Sequence, residues 1–445
     1  MAYNESTAAD DHDRFFKWAV SNGIQANGVV PCRFPGRDTG DCLCIWGLAN
    51  LRSDVWSLKA DEIMLTVPVS TMLNIDSIPE GFAARFPRQT SVHGILAAFL
   101  THGDPEFLEK WALWRKIWPS RQDFVDSLPL MWPDVARLSS ELGIPLPPSF
   151  SGNWSSTNRS ARGANDDDIY QNVLVHQTKR LQDSWKNVLT VFPDTDWEKY
   201  SFNWFILNTR SFYYVRPGNN PPKDWIDAIG LVPFADYFNH ADDAPCEVIF
   251  DGDNSTFRAT ARLEKGDEVF MNYGDHPNDY FLVECKSSSD FQYGFFLDGN
   301  AHDAIYLDDI IFPDLTSDDI EGLRSHGYDC QYEVNANGAC PNVEVAASLK
   351  CMTRSEWEDY VLEPSSVDLL PEAKKLMRCW IQFYLDECIH AIEKIEKVQG
   401  KNETSEEANH LSDIQHSALM NQLSSLLRRW TQIKDISQNA LDKLS

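Results

Sequence analysis

Basic residues are scarce in this chain. Its 445 residues carry 39 Lys and Arg against 67 Asp and Glu, a formal net charge of −28. A surface of that sign repels phosphodiester backbones and anionic lipid, so no nucleic acid and no membrane is expected as a partner. No apolar run reaches the ~20 residues that a bilayer-spanning helix needs. The segment before Phe15 is polar and acidic, unlike a secretory leader, so the cytoplasm or nucleus is the expected location. Paired cysteine spacing is missing too. Of ten Cys, only Cys42 and Cys44 stand close, and no short Cys or His repeat suggests zinc. The thiols are expected as unpaired, packed side chains in a reducing compartment, with no resident metal. Such an acidic chain suits a basic protein partner, and it is expected to act as a monomer.

Apolar content is not lacking. At 43% hydrophobic residues with 15 Trp, the chain has material for two or three cores. Residues 11 to 22 carry Phe15, Phe16, Trp18 and Ala19 at helical spacing, with Gly23 as a stop. Strand-like segments follow up to Val67-Pro68. From about 85 to 195 the pattern turns helical: Ser91 to Leu100, Phe107 to Trp118 and Gln171 to Val191, with the polar stretch SGNWSSTNRSARGANDDD between the last two. Past His302 strand signals fade. Leu376, Trp380, Ile381, Tyr384, Leu385, Cys388, Ile392 and Ile395 mark a long amphipathic helix over Leu370 to Val398. Leu411 to Ile433 repeats the pattern after GKNETSE, which predicts an antiparallel helical pair.

The densest information lies between Gly230 and Gly274. Leu231 to Phe234 is an apolar run, Asn239-His240 a polar pair, and Val248 to Phe250, Phe257 to Ala259 and Val269 to Met271 are short β-rich runs separated by Asp, Asn and Gly. Asn239, His240 and Tyr273 are hydrogen-bonding groups set among apolar strands, so each needs a partner.

This order of motifs resembles the SET methyltransferases, in the subclass of the Rubisco large-subunit lysine methyltransferases. Phe238-Asn239-His240 is similar to the family's asparagine-histidine motif, Gly266-Asp267-Glu268-Val269 to its GE-hydrophobic strand, and Asn272-Tyr273-Gly274 to its tyrosine-glycine end. Tyr293-Gly294-Phe295 matches the following tyrosine-glycine-phenylalanine, and NWFILNTRSF, Asn203 to Phe212, the upstream helix ending in an Arg-Ser step. The resemblance implies an α+β fold: a β-rich SET domain split by a helical insertion and followed by an all-α C-terminal domain that helps hold the substrate. The expected boundaries are 1–84 for the N-terminal helix and first SET half, 85–195 for the insertion, 196–300 for the second SET half and 301–445 for the helical domain. A separate all-α domain over 85–195 has the same pattern.

The implied activity is S-adenosylmethionine-dependent N-methylation of a lysine on a non-histone, basic protein. Tyr273 would stand at the reacting amine. Gly47, Leu48, Arg210, Asn239, His240, Tyr273, Tyr293 and Phe295 would hold S-adenosyl-L-methionine, with Arg210 on the donor carboxylate. Cys246 and Tyr293 would line the substrate channel. The chemistry favours such a set, because methyl transfer needs a neutral amine held in line with the sulfonium, dry surroundings and no better nucleophile nearby. A Tyr hydroxyl hydrogen-bonds an amine without carrying charge, and an Arg fork grips a carboxylate in two places.

Each residue also has an ordinary structural reading. Tyr273 reads as a strand-end Tyr, Asn239-His240 as a turn beside a core histidine, Arg210 as a helix-dipole partner, and Tyr293 and Phe295 as core aromatics. His240, Asp242 and Asp243 as a metal site are discounted, since adjacent acids in a turn usually face water. The sequence departs from the family at Ala241, where Ser or Thr is frequent, at Cys246, where Tyr is frequent, and in extra residues near Gly36 and Cys285. A non-catalytic binder of a basic partner and a protein-histidine methyltransferase therefore stay open beside the lysine reading.

Overall fold

The computed structural model describes residues 5–32, 44–47, 57–132, 143–151, 171–216, 218–222, 227–284, 297–362, 369–402 and 413–445. The motif residues Gly36, Leu48, Cys285, Tyr293 and Phe295 lie outside them, as does most of the polar stretch after Ser151. Two compact units emerge. The first joins Met1–Ser127, Gln177–Asp275 and Glu284–Gln292; the second joins Leu128–His176, His276–Val283 and Tyr293–Ser445.

In the first unit the opening helix, Glu5–Ser21, ends where Gly23 adopts φ +91°. Its Phe15 is fully buried between Phe234 and Tyr237, at ring distances of 6.3 and 5.9 Å. An antiparallel sheet runs in the order Gln25–Ala26, Ile63–Pro68, Asn254–Ala259, Cys246–Phe250. Period-2 alternation turns Ser255, Phe257 and Ala259 inward, over a core shared with Met64, Leu65 and Val67. A second small sheet places Ile229–Leu231 between Leu73–Asn74 and Ser211–Tyr213.

The helix Val92–His102, capped by the Ser91 hydroxyl on the Gly94 N–H, packs against the helix Trp197–Arg210. His93 stacks on Trp204 at 4.3 Å and donates from Nε2 to the Trp204 carbonyl at 2.9 Å, while Asn203 Nδ2 donates to Thr101 Oγ1 at 3.0 Å. Because of this shared core, the helices of the expected insertion do not form a unit of their own. Residues 92–127 and 177–195 cluster with the first unit, and 128–176 with the second. The predicted helix Phe107 to Trp118 is broken into Pro105–Leu108, a tight turn at Glu109–Trp111, and Ala112–Lys116. Two buried indoles fix that break: Trp111 donates to the Thr71 carbonyl at 2.8 Å and Trp114 to Asp236 Oδ2 at 2.9 Å. Tertiary anchoring overrides the helical periodicity here.

The second unit is mainly helical. Pro371–Asn402 and Asp413–Lys443 form the expected antiparallel pair, as Gln399 meets Ser424 at 3.3 Å and Arg378 meets the Leu441 carbonyl at 3.0 Å. Ala304–Tyr306, Glu333–Asn335 and Gly338–Ala339 add a small antiparallel sheet that the fading strand signal past His302 did not announce. Strands of two and three residues are too short for alternation to register. A fully buried Arg429 joins distant segments of this unit. Its Nε meets Asp279 Oδ1 at 2.7 Å and its Nη1 meets Asp303 Oδ2 at 2.6 Å, while the Ser149 hydroxyl donates to the other Asp279 oxygen. No helix among the described residues is long and apolar enough to cross a membrane.

Candidate active site

The site grows from two short segments of the first unit. Asn239–His240 lies parallel to Phe270–Met271, with Asn239 opposite Phe270 and His240 opposite Met271. Both motif residues are almost wholly buried. The chain enters this pair through a strained turn, since Phe234, fully buried, takes φ +74° ahead of the turn Ala235–Tyr237. A bulky aromatic in the left-handed region costs on the order of 1–3 kcal/mol and persists only where its surroundings fix it. Here those surroundings are Phe15, Phe16 and Tyr237, which all contact its ring.

The parallel pairing delivers Tyr273 to His240. The rings stack at 5.1 Å, and the Tyr273 backbone N–H donates to His240 Nδ1 at 3.1 Å. An amide N–H can only donate, so the shorter contact makes Nδ1 an acceptor and puts the imidazole proton on Nε2, facing Asp242 Oδ1 at 3.3 Å; the Met271 carbonyl, 3.3 Å from Nδ1, would be bonded only by the opposite or the protonated form. Burial lowers the pKa of His240, against upward pulls from the Met271 carbonyl, Asp242 and Asp275. The neutral tautomer is thereby favoured. At its other end Tyr273 donates its hydroxyl to the Phe238 carbonyl, so the side chain is held at both ends and its oxygen keeps lone pairs for an incoming N–H. Gly274, at φ +121°, turns the chain away directly afterwards, and its N–H caps Asn272 Oδ1.

Asn239 donates its amide to the Glu268 carboxylate. Arg210, at the end of its helix, donates Nη1 to the Asp236 carbonyl at 3.1 Å and lies 3.5 Å from Asp236 Oδ2. Burial pushes the Asp236 carboxyl up, while Arg210 and the Trp114 indole N–H pull it down. The buried Arg210 Nε has no hydrogen-bond partner among the described residues. An unsatisfied buried guanidinium N–H is what a carboxylate would fill, so the site fits the amino-acid end of a sulfonium donor. Gly47 ends the strand Cys44–Gly47 opposite Val29, in a separate hairpin. Cys246 is buried and its thiol is pushed up to about 12, by burial first and Glu247 second. It is neutral and offers no competing thiolate.

Sequence reasoning named Asn239, His240, Tyr273, Arg210 and Cys246, and the fold places all five in the first unit. It missed their carboxylate partners. The sequence marks Glu268 only as part of a strand motif, gives no sign of Asp236 and presents Asp242 as a solvated turn acid, whereas Asp242 faces the His240 ring. The available signal was the buried Asn, His and Arg themselves, each of which needs a partner.

Comparison with known proteins gives a consistent picture. Residues 70–274 match the SET domain model. The chain is 32% identical over 148 residues to ribosomal lysine N-methyltransferase set11 of Schizosaccharomyces pombe, a match spanning 33% of this chain and 35% of that one. It is 23% identical over 452 residues to SET domain-containing protein 4 of Homo sapiens, covering 94% of this chain and 87% of the relative. The SET domain of LSMT solved with lysine and AdoHcy shares the fold, with a TM-score of 0.56 at 15% identity over 98% of this chain and 93% of that one.

The SET match and the relatives named as lysine methyltransferases support S-adenosylmethionine-dependent protein methylation as the class. Residues 70–274 carry a SET domain, and the chain shares the fold of the solved Rubisco LSMT structures.

Proposed function

We propose that the chain transfers a methyl group to the ε-amine of a lysine on a non-histone, basic protein, a ribosomal protein being the substrate class to test first. The observation that carries this reading is Tyr273, fixed between the His240 ring and the Phe238 carbonyl. Its relative set11 is named for ribosomal lysine methylation, and a charge of −28 suits a lysine-rich acceptor.

Bound S-adenosylmethionine supplies a methyl group on a positive sulfonium. Arg210 would hold its carboxylate through Nε, with Asn239 and His240 beside it. Tyr273, its proton committed to Phe238, would accept a hydrogen bond from the acceptor amine and steer the nitrogen lone pair away from its own oxygen. A free lysine, with a pKa of ~10.4, is mostly protonated at neutral pH, so its ammonium must release a proton to solvent before transfer; desolvation would favour the neutral form. The neutral Cys246 thiol would line the channel without diverting the methyl group.

The test is transfer of radiolabelled methyl from S-adenosylmethionine to purified ribosomal proteins and, separately, to histones, with Tyr273→Phe alongside. Label on a ribosomal lysine that disappears in the variant supports the proposal. Donor binding by calorimetry with no label on any acceptor overturns it in favour of a binding protein, and mass spectrometry placing the label on histidine overturns the lysine reading.

A further inference from the structure

The strand Cys246–Phe250 closes its sheet on one side, and among the described residues no strand pairs with its outer edge. Which backbone groups face that edge follows from the turn. The Asp251 N–H donates to the Asn254 carbonyl at 3.2 Å and the Thr260 N–H to the Pro245 carbonyl at 3.0 Å. Between these fixed points the register Glu247↔Arg258, Val248↔Phe257, Ile249↔Thr256 runs without a shift. Antiparallel alternation therefore turns the N–H and C=O of Glu247 and Ile249 toward the neighbouring strand and those of Val248 and Phe250 outward.

The side chains do not cover this edge. Val248 is 41% and Ile249 38% exposed, one on each face. Natural edge strands are commonly blunted by Lys, Pro or a bulge, and this one has none of them. The surroundings are of one sign. From Ala241 to Asn254 there are five carboxylates, Asp242, Asp243, Glu247, Asp251 and Asp253, and no Lys or Arg. Glu247 is paired across the sheet with Arg258, and Asp242 faces His240.

We propose that the outer edge of Cys246–Phe250 captures an extended, lysine-bearing segment of the protein substrate by strand addition. Main-chain hydrogen bonds to Val248 and Phe250 would supply the affinity. The exposed Val248 and Ile249 would take alternate apolar side chains, and the carboxylates would select a basic sequence. The choice of a lysine-bearing occupant rests on the methyltransferase reading; the open edge does not.

The experiment uses the full chain and a fluorescent acetyl-(Val-Lys)4-amide probe, read by anisotropy. Three comparisons accompany it: the same peptide with alternate backbone nitrogens methylated, its (Val-Glu)4 counterpart, and the Val248→Pro variant. Proline at position 248 removes an outward donor and leaves the ladder to Asn254–Ala259 intact. The expected result is binding of the Val-Lys probe, at least tenfold weaker for Val248→Pro and for the N-methylated peptide, and none for the Val-Glu peptide. Donor affinity by calorimetry should stay unchanged in the variant.

Equal binding of the N-methylated and unmodified peptides would reduce the effect to charge attraction and overturn the proposal. That comparison is made on the unaltered protein, so it holds even if Val248→Pro fails to fold. Absence of Val-Lys binding also overturns it. Edge binding without any methyl transfer would leave the edge assignment standing and sink the enzymatic one.

Discussion

The backbone N–H of Tyr273 donates to Nδ1 of His240, a side chain 33 residues earlier in the sequence. The imidazole is therefore more than a motif residue: it sets where the tyrosine begins, while the Phe238 carbonyl sets where its hydroxyl ends.

Removing the hydroxyl tests the far end. Tyr273→Phe should lower kcat on the order of 10²-fold or more, the loss seen when one positioned hydrogen-bonding group leaves a reacting centre. Donor affinity should barely change. A variant that loses donor binding in proportion to kcat would show that the hydroxyl serves the fold instead.

Replacing the imidazole tests the near end. His240→Leu leaves the half-buried Tyr273 N–H without this acceptor, at a cost of about 1 kcal/mol in stability, and lets Tyr273 drift. His240→Asn puts an amide oxygen close to where Nδ1 stood and should recover much of kcat. If Leu and Asn variants behave alike, the N–H to Nδ1 bond has no positioning role.

His93 should make the first unit acid-sensitive. Its pKa is lowered to about 3, by burial first and Arg180 second, against the Trp204 carbonyl that it donates to. The folded value lies below the unfolded ~6.5, so the unfolded chain binds the extra proton. The contribution is fully present above pH 6.5 and is lost as pH falls from there toward 3, with a slope of about 1.4 kcal/mol per pH unit. Urea titrations across that range should show the slope, and His93→Phe should flatten it.

In the second unit, Arg429→Leu should cost about 3–5 kcal/mol, because Asp279 and Asp303 would be left buried without their cation. Burial pulls the guanidinium pKa down, but those two carboxylates more than offset it, so the charge is held firmly. Adding Asp279→Asn and Asp303→Asn to Arg429→Leu should restore most of the loss in denaturant melts. No restoration would mean that the packing of Arg429, not its charge, is what matters.

Cys246 should resist alkylation. With its thiol near 12 through burial, iodoacetamide at pH 8 should label the exposed Cys379 first and Cys246 only after unfolding, as peptide mass spectrometry would read. Early labelling of Cys246 would place a thiolate beside the proposed channel and contradict its inert role.

Much of this was legible in the residues. Leu376 to Ile395 and Ile414 to Ile433 determined two long helices, because an apolar stripe every three or four positions can be buried only on one face of a helix. Asn239, His240 and Tyr273, with Gly266-Asp267-Glu268 between them and the Arg210-Ser211 step upstream, carried the resemblance to the SET methyltransferases. Tertiary structure alone decided the rest. The partners Asp236, Asp242 and Glu268 could not be read off, because a buried polar group demands a partner without saying which one. The insertion helices share a core with Trp197–Arg210 because His93 happens to stack on Trp204, and that contact joins residues 111 apart in sequence. The open edge at Val248 depends on which strand lies last in its sheet. Periodicity and motifs act over a few residues, whereas pairings and edges are set by what the whole chain brings together.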